Sequence, residues 1–96
     1  MLVTIPVPGL GNVTLFTAAN DFIQLTCPTQ ITRFSIKRLS RGSVTRLTCN
    51  GSQVALVAWL GNLNEVNIPQ IIEAILNLPI TTVPLTSFRT DIRAQP

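Results

Sequence analysis

The chain has 96 residues, of which 46% are hydrophobic and only 11% charged, and it carries a net charge of +3 with no histidine and no tyrosine. Its Val, Ile and Leu content argues against disorder, and its scarcity of Glu, Lys and Ala argues against a coiled coil. The longest apolar run, Val54 to Leu60, is far short of the roughly 20 residues that a membrane-spanning helix needs, so no membrane span is expected.

Residues 1–12 read as an extended N-terminal arm. Leu2, Val3 and Ile5 are apolar, and Pro6, Pro8, Gly9 and Gly11 punctuate the segment. Proline cannot donate to a central ladder, so the arm suits an edge strand or a docking strap. Val13 to Thr17 is β-prone, and Ala18-Ala19-Asn20-Asp21 is a turn. Phe22 to Cys27 alternates, with Phe22, Gln24 and Thr26 on one face and Ile23, Leu25 and Cys27 on the other, until Pro28 stops it.

Ile31 to Leu39 alternates again, with Phe34 and Ile36 on one face and Arg33, Ser35 and Lys37 on the other. Ser40-Arg41-Gly42 supplies a turn, and Ser43 to Cys49 is the expected return strand, which makes 33–46 a predicted basic hairpin. On that strand Leu47 and Cys49 face one way, and Val44, Arg46 and Thr48 the other. Asn50-Gly51 is a strong hairpin signal, because both central residues of a type I′ turn need positive φ. Gln53 to Leu60 is apolar on both faces, which predicts a strand buried on both sides.

One helix is predicted near 67–78. Asn67 can cap it, Pro69 fits its first turn and Gln70 completes a weak capping box. Ile68, Ile71, Ile72, Ile75 and Leu76 recur at helical spacing and form one apolar stripe for a core or an interface. Pro79 ends the helix, and residues 79–96 read as an extended C-terminal tail with a strand around Leu85 to Ile92. Together these elements predict a single mainly β domain over 1–96 with a minor α+β character. Its expected form is a small antiparallel β-sandwich or barrel-like sheet of about six strands, with one short amphipathic helix and extended terminal arms.

Cys27 and Cys49 are too few for a disulfide scaffold; they form either one bridge or two buried thiols. Leu25-Thr26-Cys27 is echoed by Leu47-Thr48-Cys49, so the two cysteines fall at equivalent positions if the copies pair or face each other.

Catalysis finds little support. Without histidine the commonest general base is missing, and two cysteines cannot close a structural zinc site, so no catalytic residue, metal or cofactor is expected. Gly9-Leu10-Gly11 mimics the start of a dinucleotide loop, but position 14 is Thr and no helix follows. The strongest functional feature is the run of Arg33, Lys37, Arg38, Arg41 and Arg46, with no acid between Asp21 and Glu65. Such a block favours an anionic partner: an acidic protein surface first, with nucleic acid less favoured because no aromatic stacking platform accompanies the charges.

The shortage of ions points the same way. Twelve threonines, with Asn, Gln and Ser, supply most of the polar groups. Such groups are cheaper to desolvate than charges and suit a surface that neighbouring chains will cover. The expectation is therefore a non-enzymatic assembly subunit, of the virion shell, cement or tail type, packing against copies of itself or other subunits. The first alternative is a small nucleic-acid-binding module using 33–46. The second is a secreted, disulfide-bonded binding domain with glycans on the Asn12-Val13-Thr14 and Asn50-Gly51-Ser52 triplets. No signal peptide is seen in Met-Leu-Val-Thr-Ile-Pro, so a virion or cytoplasmic assembly is expected.

Overall fold

Val7-Pro8-Gly9-Leu10 shows how local chemistry sets the first hairpin. Proline pre-sets the first central residue of a turn, and Gly9 takes φ 84° at the second, where a side chain would be strained. Leu10 N–H donates to the Val7 carbonyl at 3.0 Å, which closes the turn. The strands it joins are β1 (Val3–Val7) and β2 (Gly11–Leu15), paired antiparallel. The computed structural model describes residues 2–16, 22–27, 30–60 and 67–85. The expected turn at 18–21, the expected strand toward Ile92, and Asp21, Glu65, Arg89, Asp91 and Arg93 lie outside these residues.

The remaining strands are β3 (Phe22–Cys27), β4 (Gln30–Ser35), β5 (Val44–Cys49), β6 (Ser52–Ala58) and β7 (Ile80–Pro84). Helix α1 (Ile68–Leu76) lies between β6 and β7 in the chain. The fold is mainly β, in two sheets. Five strands form a sheet in the order β1-β2-β6-β5-β7, and β3 and β4 form a two-stranded sheet. Neither sheet closes on itself among the described residues. The larger sheet is mixed where an antiparallel one was expected: β2–β6 and β5–β7 run parallel. Of the arm expected over 1–12, residues 3–7 form the paired edge strand β1, while Gly11 and Asn12 already belong to β2.

β6 lies at the centre and is covered on both sides. Leu56 and Ala58 face one core and Val57 the other. The first core lies between the two sheets and contains Phe16, Ile23, Phe34, Ile36, Leu47 and Val57. The second lies between the larger sheet and α1, where Ile71 and Ile75 pack with Ile5, Val7, Val13, Leu15, Val44 and Leu56. The result is three layers: the β3–β4 pair, the five-stranded sheet and the helix.

The helix stripe is narrower than expected. Ile71 and Ile75 are buried and Ile72 is half-buried, but Ile68 and Leu76 are exposed. Leu76 is displaced by about 100° around the axis from Ile75, and Ile68 is the first residue of the helix. Asn67 occupies the N-cap position, yet its side chain makes no cap hydrogen bond. At the other end the Asn77 side-chain amide donates to the Glu73 carbonyl at 3.0 Å.

Asn50 and Gly51 have φ 53° and 85°, as the type I′ signal requires, and they join β5 to β6. The predicted 33–46 hairpin does not form. β4 pairs with β3 instead, from Phe22↔Ser35 to Cys27↔Gln30. The chain then makes a short 3-10 turn at Ile36–Arg38 and crosses into the other sheet as β5.

Candidate functional site

The outward face of the β3–β4 layer is built by alternation. Ile23, Phe34 and Cys27 point into the first core. Phe22, Gln24, Thr26, Ile31 and Arg33 are exposed on the other side, beside half-buried Ser35. The register places Arg33 opposite Gln24 and diagonal to Phe22. The Arg33 guanidinium lies over the Phe22 ring, 4.2 Å from its centroid. Ile31, two residues along the same strand and on the same face, is 71% exposed. Phe22, Arg33 and Ile31 therefore form a diagonal line of aromatic, cationic and aliphatic surface, with Gln24 and Thr26 beside it. Aromatic residues and arginine are among the residues enriched at protein–protein interfaces relative to the rest of the surface.

A second arginine–aromatic pair lies where the chain enters the larger sheet. Gly42 takes φ 78° in this turn, and its N–H donates to the Trp59 carbonyl at 3.1 Å. That bond sets Arg41 over the indole, 4.5 Å from the ring centroid. Trp59 in turn packs on Phe16, with ring centroids 5.2 Å apart. Its indole N–H is buried with no hydrogen-bond partner among the described residues.

The five cations read from the sequence do not converge. Arg33 projects from the outer face of the β3–β4 layer. Lys37 and Arg38 lie exposed on the 3-10 turn. Arg41 lies over Trp59. Arg46 shares a face of β5 with Val44, the side of the larger sheet that carries the helix, and its Nε donates to Gln53 Oε1 at 3.0 Å. Arg33 and Arg46 thus point from opposite sides of the molecule. No single basic groove forms among the described residues, and the two arginine-covered rings already have a cation on their faces. Glu73 is the only acid among the described residues, and no group of three metal-ligating side chains occurs among them.

Phe22 is the residue that sequence reasoning left out of the basic site. It lies eleven positions from Arg33, and only the β3–β4 pairing brings the two together. Its alternation with Gln24 and Thr26 already marked it as outward-facing, which was the available signal.

Cys27 and Cys49 form a disulfide, with Cα atoms 5.7 Å apart. It links the end of β3 to the end of β5 and hence one sheet to the other. The two Leu-Thr-Cys echoes face each other across the first core. No protein-family model, curated protein or solved structure matches this chain.

Proposed function

We propose that this protein is a non-enzymatic assembly subunit that docks against neighbouring chains through the outward face of the β3–β4 layer. The observation that carries this reading is the line Phe22–Arg33–Ile31, an apolar and cationic surface on the outer face of the two-stranded layer. An isoleucine 71% exposed, on the same face as a ring capped by arginine, gains most when a partner covers both. The low ion content supports the same role, since little charge has to be desolvated when the surface is covered. The two sheets, stacked as a small sandwich and pinned by a disulfide, would serve as the stiff platform. A virion shell, cement or tail layer is the favoured setting, with an acidic face on the neighbour to meet Arg33.

Light scattering on the protein eluting from a size-exclusion column tests this at low and moderate salt. Multimers are expected from the unaltered chain, and Ile31→Asp should shift them toward the single copy. A freely soluble single copy at high concentration would overturn the reading.

A secreted binding domain is a second reading, supported by the Cys27–Cys49 bond, because disulfides persist mainly in oxidising compartments and on virion or cell surfaces. Asn12 and Asn50, the first residues of the two glycosylation triplets, are both exposed. Intact-mass measurement of protein from the native source checks this: attached glycan supports it, and bare asparagines remove it.

A further inference from the structure

The five-stranded sheet ends in two strands of unequal character. β1 carries Pro6 in its interior, and proline has no N–H to offer a new neighbour. β7 has the sequence Ile-Thr-Thr-Val-Pro, with proline only at its last position and no charge. Its inner edge is paired with β5, from Val44↔Ile80 to Thr48↔Pro84. No described strand pairs with its outer edge. Among the described residues this edge is uncharged and uncovered, and such an edge is a template for another strand, the liability that proteins otherwise blunt with lysine, proline or a bulge; here proline stands only at the end, at Pro84.

We propose that the outer edge of β7 pairs antiparallel with β7 of a second copy, joining two five-stranded sheets into one of ten strands. This rests on the assembly reading above and names a second copy of this chain as one of its partners. A two-fold axis normal to the sheet makes the strands antiparallel and keeps like faces together. With that axis at Thr82 all five residues overlap: Ile80 lies opposite the second copy's Pro84, Thr81 opposite its Val83, and Thr82 opposite its Thr82. Ile80, 42% exposed in the single chain, then gains an apolar neighbour.

Electrostatics does not oppose the pairing. The nearest described cation on the adjoining strand is Arg46, in register with Thr82. Across the joint the two Arg46 positions are separated by three strand spacings, about 14 Å. That exceeds the screening length of about 8 Å at physiological salt. Head-to-tail pairing of β7 with β1 of another copy would be parallel and would meet Pro6 in mid-strand, whereas the two-fold arrangement is antiparallel and meets proline only at its two ends, where the Pro84 carbonyl can still accept from Ile80, so the two-fold arrangement is favoured.

The test uses the full chain carrying Thr82→Cys. Both native cysteines are bonded to each other, so the new thiol is the single free one. Mild oxidation should give a covalent dimer. Thr4→Cys, on exposed β1, should stay single under the same treatment. As a non-covalent check, Thr82→Lys should lose the dimer at a concentration where the unaltered chain is dimeric, with the far-UV circular dichroism spectrum unchanged and the unfolding temperature no longer dependent on protein concentration. Cross-linking of Thr82→Cys no faster than Thr4→Cys would overturn the proposal. So would a dimer that survives Thr82→Lys, or a single copy whose 80–84 amides resist hydrogen exchange. Multimers lost with Ile31→Asp but kept with Thr82→Lys would remove this pairing and leave the assembly reading standing. The reverse pattern would keep the pairing and remove the outer-face contact.

Discussion

Cys27 and Cys49 are bonded across the first core, one at the end of β3 and the other at the end of β5. They are the chain's only cysteines, so this is its single disulfide cross-link, and it ties one sheet to the other. A two-stranded sheet is marginal by itself in water. Here its inner face is held by Phe34 and Ile23 packing on the larger sheet, and its end is pinned by the disulfide. The same arrangement leaves its outer face free to present Phe22, Ile31 and Arg33 in a fixed geometry.

Reducing that bond should therefore destabilise the whole domain. The cysteines are 22 residues apart in sequence, and closing a loop of that length in the unfolded chain is worth about 3 kcal/mol in the chain-entropy model. Urea unfolding of the oxidised protein against the Cys27→Ala/Cys49→Ala form should show a loss of that order. Equal midpoints would mean that packing alone fixes the layer.

The helix offers a direct contrast between buried and exposed isoleucines. Ile75 is 1% exposed in the second core, whereas Ile68 is 46% exposed. Truncating a buried isoleucine to alanine costs roughly 2–5 kcal/mol, while a surface change stays within about 0.5 kcal/mol. Ile75→Ala should therefore unfold at much lower denaturant than Ile68→Ala. Equal losses would put Ile68 in a core as well.

Much of this was open to reading from periodicity, and the part that was not has a common cause. The alternation of Phe22 to Cys27, the two-sided burial of β6, the Asn50-Gly51 turn and the isoleucine spacing of α1 are local signals, and each matches an observed element. The hairpin expected at 33–46 failed because Ser40-Arg41-Gly42 is a turn in either case. A turn that returns a strand beside its neighbour and one that carries it into another layer use the same residues. Which occurs depends on whether β4 has β3 as its partner, and no residue within 33–46 states that. The parallel pairs β2–β6 and β5–β7 are longer-range still, and alternation carries no information about direction. The narrowing of the apolar stripe has a similar origin: the pattern shows that Ile68 and Leu76 are apolar, not how far the sheet beneath them extends.

The β5–β6 turn gives a further check on backbone chemistry. Gly51 has φ 85° with open space around a Cβ built on it. Substitution there is opposed by conformation and not by a clash. The left-handed region costs an L-residue roughly 1–2 kcal/mol, so Gly51→Ala should lower unfolding stability by about that much. Loss well beyond this range would show that the hairpin had changed its register.

Arg33 and Arg46 separate the two views of the basic residues most sharply. If the cations acted together on a nucleic-acid backbone, removing either would weaken binding similarly and reduce its salt dependence by a similar step. The fold points Arg33 and Arg46 away from opposite sides of the molecule, and Arg46 is occupied by Gln53. Arg33→Ala should therefore weaken multimer formation in light scattering, because it removes both the cation and the cover over Phe22. Arg46→Ala should leave multimer formation unchanged. The loss for Arg33→Ala should shrink as salt rises, in the measure that its partner is acidic, while the share due to Phe22 and Ile31 should persist. Equal effects from the two substitutions, accompanied by steep salt-dependent retention of nucleic acid, would restore the nucleic-acid alternative in place of the adhesive one.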